Sequence, residues 1–373
     1  MRKDSMNSLT LLELDGYKSI KSVTLRFGRI NVLIGANGAG KSNLISFFEL
    51  LNYMTFAPDQ LQLYVGKSGG ANAILFDGAA VTPQIHARLC IDTEAGQNEY
   101  EIRLFHAAPD TLIFAEERFR FNRTEMVSEP PWTSLGSGHR ESKLYQLADE
   151  GNMTAKVILE LLKRLRVYQF HDTSDTANVK SRWILDDAQT LRHDGANLAP
   201  FLYRMRESKP KYYRRIVETV RGILPFFVDF ELEPTAERVL LQWRERDSDL
   251  IFGPHQASDG TIRMIALVTL LLQPPESLPN LIILDEPELG LHPYAIQILA
   301  GMIKAVSVRS QVIVATQSAM LLDYFEPEDV IVVDRVGRDT HFSNLPAAEL
   351  EEWLAEYSLS ELWEKNVLGG RPA

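Results

Sequence analysis

Eight residues near the start of the chain, Gly35-Ala36-Asn37-Gly38-Ala39-Gly40-Lys41-Ser42, restrict the fold more than any other part of the sequence. Glycine stands at both ends and a Lys-Ser pair closes the segment, with the apolar stretch Ile30 to Ile34 before it and a helical pattern from about Ser42 to Leu51 after it. Strand, turn and helix in that order form a phosphate cradle. Glycines let backbone N–H groups close round phosphate oxygens, and the helix brings its positive end to the same point. Gly35, Ala36, Asn37, Gly38, Ala39 and Gly40 would then line the phosphates, Lys41 would neutralise the β and γ groups, and Ser42 would hold Mg²⁺ through its hydroxyl. The implied ligands are ATP and Mg²⁺. A fortuitous glycine-rich turn is the plain competitor, and at ordinary glycine frequency it arises in about one chain of this length in a hundred.

A second segment answers the first. Leu281-Ile282-Ile283-Leu284 runs into Asp285-Glu286, so a buried strand delivers two carboxylates to the carboxyl edge of a sheet, where ligands bind in α/β folds. Asp285 is suited to Mg²⁺ and Glu286 to polarising an attacking water. An acidic pair after a strand is common by itself; with Lys41 and Ser42 it becomes pointed. The stretch Pro287 to Pro293 ends the strand, and His292 within it reads as structural or as a dimer contact in preference to a metal ligand. About 25 residues upstream, Ala257-Ser258-Asp259-Gly260-Thr261-Ile262-Arg263 precedes an apolar helix from about Thr261 to Leu272. Ser258 or Asp259 would cap that helix, which is either a plain cap or an anion site.

The rest of the pattern organises around these motifs as an α/β fold with a parallel core sheet, an antiparallel β-subdomain and a helical insert. Residues 1–55 hold two short strands, Leu9 to Leu14 and Ser22 to Phe27, and the cradle; 56–130 alternate as an antiparallel sheet. Residues 131–227 open with a loop, roughly Ser128 to Ser142, and continue as helices at Ala155 to Leu165 and Asn197 to Leu224. Residues 228–345 add strands at Val228 to Leu232 and Val239 to Arg244, then the core strands 281–284, 311–315 and 330–334. Residues 346–373 form an acidic amphipathic tail carrying Glu349, Glu351, Glu352, Glu356, Glu361 and Glu364. No repeat and no long heptad run is present.

Composition narrows the setting. The longest apolar run, Met264 to Leu272, falls short of the roughly 18 residues a membrane span needs, and the start of the chain has no apolar signal segment. A single cysteine, Cys90, excludes an internal disulfide and fits a core strand, so a cytoplasmic protein without membrane contact is expected. The formal net charge of −11 speaks against a surface coated for DNA. One local patch, Arg204, Arg206, Lys209, Lys211, Arg214 and Arg215 among Tyr203, Tyr212 and Tyr213, reads as a solvated helix face or as a surface for nucleic acid or an acidic partner.

Taken with Tyr17-Lys18-Ser19-Ile20, Ser42-Asn43, Ser258 to Thr261, Leu284 to Pro293 and the ending Tyr357 to Trp363 with Leu368-Gly369-Gly370, the motifs resemble the predicted ATPases of the RecF/SMC/OLD branch of ABC-type ATPases over nearly the whole chain. The resemblance implies an ABC-type P-loop NTPase head that forms a homodimer on binding ATP, with Ser258, Asp259 and Gly260 of one copy completing the site held by Gly35 to Asn43 of the other. It implies catalytic roles for Glu286, Lys41 and Gln317. Many relatives carry histidine where Ala315-Thr316-Gln317-Ser318 has Gln317, which can hydrogen-bond the γ-phosphate but carries no charge, so slow hydrolysis is expected. A glutamine that contacts Mg²⁺ is also implied; Gln60, Gln84 and Gln169 are the candidates and the pattern does not choose among them. Relatives with their own nuclease carry a Toprim domain after the ATPase, which the roughly 50 residues after Gln317 do not supply, so a nuclease-type effector would be a separate partner and DNA a further one. The service expected is a nucleotide switch in DNA maintenance or antiviral defence. An ATP-dependent scaffold with little turnover and a transporter motor subunit are the alternatives.

Overall fold

The computed structural model describes residues 7–57, 59–124, 130–345 and 347–370. Met1 to Met6, Ser128 at the head of the expected loop, and the side chains of Glu349 and Glu351 lie outside them. Two sheets dominate. In the core sheet the strands run in the order β11 (Asp339–Asn344), β10 (Val330–Val336), β3 (Ile30–Ile34), β9 (Gln311–Thr316), β8 (Leu281–Asp285) and β7 (Leu165–Tyr168), all parallel except the edge strand β11. Strands β3, β8 and β9 are buried along their whole length, as the near-continuous apolar runs of a sheet covered on both faces require.

Alternation along these strands divides the core in two. Val32, Ile34, Ile282, Leu284, Val312 and Val314 face a helical layer that includes the helix α6 (Asp259–Leu271) and the helix α7 (Pro293–Val306). Leu33, Ile283, Ile313 and Ala315 face the helix α1 (Lys41–Phe56) and the second sheet. That sheet is antiparallel, ordered β2 (Ile20–Arg26), β1 (Ser8–Tyr17), β4 (Gln84–Thr93), β5 (Gly96–Ala107) and β6 (Thr111–Arg123), with the short strand Thr133–Ser134 at its edge. Buried Gln311 joins the two layers: its amide donates to Leu9 O at 2.8 Å and Gly28 O at 2.7 Å and accepts from Leu9 N–H at 2.9 Å. Cys90 sits buried in β4, and burial pushes its thiol up to about 11.

Several sequence expectations shift. The helix expected over Ala155 to Leu165 is α3 (Met153–Lys163), and Leu165 opens β7, so the segment read as a helical insert also supplies a strand of the core sheet. The helical pattern from Asn197 to Leu224 is two helices, α4 (Leu198–Ser208) and α5 (Pro210–Ile223), because Pro210 cannot continue the first and is suited to begin the second. The stretch Val239 to Arg244 divides between the pairs Arg238–Val239 and Trp243–Glu245 in different sheets. In the aromatic-basic patch, Tyr213 is buried and donates to Asp229 at 2.8 Å, and Tyr203 and Tyr212 pack on the core. Arg206 stacks on Tyr203 and pairs with Glu207, and Lys209 meets Glu276 at 2.6 Å. No helix among the described residues is long and apolar enough to cross a membrane.

Candidate nucleotide site

The cradle leaves β3 and enters α1 through a loop that only glycine can make at two points: Gly38 has φ +77° and Gly40 has φ +119°. A Cβ at Gly40 would strike the Thr340 side chain, and one at Gly35 would strike the carbonyl of Val333. Thr340 in turn braces the loop, donating to Ala39 O at 2.9 Å and meeting Ser19 Oγ at 2.7 Å. Asn43 reaches the same Ser19 hydroxyl at 2.5 Å. The β1–β2 turn and the edge strand β11 therefore hold the cradle from behind. Lys41 is buried and donates to the carbonyls of Gly35 at 2.5 Å and Ala36 at 3.1 Å. Burial lowers its pKa, opposed by the charges of Glu286, Asp285 and Glu288. Ser42 lies exposed in the first turn of α1, which carries no acidic residue there to compete with an anion. Beside the loop opens a polar cleft of about 530 Å³ lined by residues including Lys18, Ser19, Asn43, Asn72, Asp77 and Arg335.

The acids arrive from β8. Asp285 is its last residue, and burial raises its pKa, with His171 opposing. His171 Nε2 lies 2.8 Å from the Asp285 carbonyl, and Gln169 Nε2 lies 3.5 Å from the Asp285 carboxylate. Of the three candidate glutamines, the fold places Gln169 beside the acids because it follows β7, which pairs Tyr168 with Leu284. Gln60 opens the helix α2 (Gln60–Lys67) and Gln84 opens β4. Glu286 has φ +40° and donates its N–H to Ala315 O at 2.8 Å. From the end of β9, the Gln317 amide donates to the Glu286 carboxylate. Glu288, which the sequence reading passed over, accepts from the Thr316 hydroxyl at 2.5 Å and the Gln317 N–H at 3.3 Å. Its two-residue spacing from Glu286 was the available signal. His292 caps α7, its Nδ1 accepting from Tyr294 N–H at 3.3 Å, in line with the structural reading.

Ser258 caps α6 by accepting from Thr261 N–H at 3.2 Å, and Ser258 and Asp259 are exposed. Gly260 packs so closely on the Gly290 carbonyl that a Cβ would collide with it. Arg263, one turn on, donates to Phe170 O, His171 O and Leu289 O, each at 2.9 Å, and so clamps α6 to the Gln169 segment and the loop after the acids. Among the described residues no hydrogen bond or ion pair joins Ser258, Asp259 or Gly260 to the cradle of the same chain.

Comparison with known proteins places this geometry. The family described as AAA domain, putative AbiEii toxin, Type IV TA system matches residues 30–323. No curated protein matches the sequence. Among solved structures, an SmcHead bound to the C-winged helix domain of ScpA is similar with TM-score 0.63 and 16% identity, over 93% of this chain and 99% of that one. An Smc head domain with an extended coiled coil, bound to the C-terminal domain of ScpA and derived from Pyrococcus furiosus, gives 0.61 and 14%, over 94% and 99%. An Smc head domain with a coiled coil and joint from Pyrococcus yayanosii gives 0.54 and 12%, over 94% and 99%. At these identities the likeness establishes a shared fold.

Proposed function

The chain belongs to the AAA domain family described as putative AbiEii toxin, Type IV TA system, an ATP-binding ABC-type P-loop ATPase of the SMC/RecF-like branch, and from that premise we propose a nucleotide-switched head that binds Mg·ATP, hydrolyses it slowly and dimerises with it. One observation carries the reading: the neighbouring parallel strands β3, β9 and β8 run out at the same sheet edge, β3 into the glycine loop that leads to Lys41 and Ser42, β9 into Gln317, and β8 into Asp285 and Glu286. The residues fit the ligand. The left-handed glycines open backbone N–H groups, Lys41 brings a cation, and Ser42 with Asp285 supplies hydroxyl and carboxylate oxygens suited to Mg²⁺. Bound there, Mg²⁺ would neutralise charge on the phosphates. Glu286 would take the proton of the attacking water, and Gln169 would orient the Asp285 carboxylate. The polar cleft beside the cradle is the place for the base and ribose.

Slow turnover follows from the neutrality of Gln317, which orients the Glu286 carboxylate through its amide but brings no positive charge to the γ-phosphate. The same neutrality supports the second reading, a scaffold that uses ATP as glue. Ser258 and Asp259 are exposed, and neither they nor Gly260 has a partner in the cradle of the same chain among the described residues, which supports completion of the site by a second copy. The proposed process is DNA maintenance or antiviral defence, with a nuclease-type effector as a separate protein. Arg204, Lys211, Arg214 and Arg215 are exposed with no ion pair among the described residues, a basic face on an acidic protein that suits phosphate contacts.

The test is the mass of the Glu286→Gln protein by light scattering, with and without Mg·ATP. Doubling on ATP is expected. A monomer that binds ATP but never doubles would remove the head-dimer reading. Phosphate release by the unaltered chain separates the readings: slow release stopped by Glu286→Gln supports the switch, and none over hours supports the scaffold.

A further inference from the structure

Glu288 has no role in the reading above, yet it is built into the site. It stands two residues beyond Glu286, in the turn that closes β8. Both hydrogen bonds to its Oε1 come from the end of β9: the hydroxyl of fully buried Thr316 and the backbone N–H of Gln317. Its Oε2 is shut off from water and has no hydrogen-bond partner among the described residues. Burial raises its pKa. A carboxyl group left with one oxygen buried and unmatched works against folding, so a residue that did nothing but fill this space would be better apolar. What Glu288 gains for the protein is a grip on Gln317.

That grip matters because of where Gln317 leads. Its side-chain amide donates to the Glu286 carboxylate, so two acids from one turn hold the same residue, Glu288 by the backbone and Glu286 by the side chain. Glu286 is itself tied to β9 by the bond from its N–H to Ala315 O at 2.8 Å. Four hydrogen bonds thus stitch the two strand ends, and among the described residues only Glu288 holds the Gln317 backbone from the β8 side. A direct role in metal binding does not suit Glu288, since Oε1 already accepts two hydrogen bonds and Oε2 is shut off from solvent.

We propose that Glu288 is a positioning residue that fixes the backbone of Gln317 so that the Gln317 amide meets Glu286, and that it acts on hydrolysis only through that glutamine. The inference rests on Glu286 as the carboxylate that activates water.

A double-mutant cycle tests it, using the full chain and reading kcat and KM from phosphate release and binding from a fluorescent ATP analogue. Glu288→Ala should lower kcat by about 10- to 100-fold, the scale of misplacing a catalytic group, with KM and analogue binding changed by no more than about twofold. Gln317→Ala should do the same, and the double variant should be no worse than the worse single. Glu288→Gln keeps an acceptor oxygen for both bonds and should recover most of the rate that alanine loses. Should Glu288→Ala melt at assay temperature, Thr316→Val takes its place in the cycle, since it removes the hydroxyl donor with little change of shape. Additive losses, or a Gln variant as slow as the Ala variant, or a parallel loss of nucleotide binding, would overturn the inference while leaving Glu286 in its role. Turnover unaffected by Glu286→Gln would overturn both.

Discussion

At residue scale the backbone of Glu286 is the most telling single conformation in the site. Its φ of +40° lies in the left-handed region, which costs a residue with a Cβ about 1–2 kcal/mol. The residue bears that strain at the point where β8 must stop and turn its two acids toward the cradle. A comparison of two variants isolates the effect, because both remove the carboxylate. Glu286→Gly should be more stable than Glu286→Ala by about 1 kcal/mol, read from thermal melting, although glycine is the poorer residue almost anywhere else. Alanine as the more stable variant would mean that the left-handed conformation is not what the chain adopts there. Gly40 shows the complementary case, since the sequence places glycine where Thr340 leaves no room for a Cβ.

Elements differ in how far the sequence discloses them, and the reason is range. The strand Ile30–Ile34 and the glycine turn after it are local patterns, and they were legible at once. The strand Leu165–Tyr168 was not, because four residues directly after a helix carry no period of their own; only pairing with Leu281 to Leu284, more than a hundred positions away in the chain, makes them a strand. Gln169 could not be singled out for the same reason, and Glu288 escaped because its role depends on β9 lying beside β8. The antiparallel sheet hid a charge ladder in plain alternation. Glu99 accepts from Arg88 at 2.7 Å, Arg120 at 2.7 Å and Asn122 at 2.6 Å, and Glu101 accepts from Arg118 at 2.8 Å. Burial pushes both carboxyls up, but the guanidinium groups prevail and hold them below the ordinary glutamate value. A lowered folded-state pKa gives stability that is present above the unfolded value, about 4.3, and is lost as pH falls through the folded value. Melting temperature should therefore drop steeply below about pH 4, and a Glu99→Gln, Glu101→Gln protein, less stable at neutral pH, should show a flatter decline. Parallel acid limbs in the two proteins would assign the sensitivity to other carboxyls.

On the scale of the whole molecule, the carboxyl edge of the core sheet presents apolar side chains that a lone chain leaves in water. Leu289 is 45% exposed in the turn after Glu286, Tyr294 is 52% exposed at the start of α7, and Met320 is 42% exposed just past Gln317. Gly260 against Gly290 sets exposed Ser258 beside this group. Exposed apolar side chains beside exposed polar Ser258 suit a self-association face, and a standard dimer buries about 1,600 Å² in total. The proposed ATP sandwich would use that face and cover Leu289. In the Glu286→Gln background, Leu289→Asp should keep the mass at that of a monomer in Mg·ATP while changing binding of the nucleotide analogue by no more than a few fold, since charge buried at an interface costs several kcal/mol and the cradle lies on other elements. Val308 offers the control, because it is 63% exposed in the segment leading into the opposite end of β9. Val308→Asp should dimerise like its parent. If Leu289→Asp dimerises as well, the copies meet elsewhere, and Ser258 has no nucleotide to face.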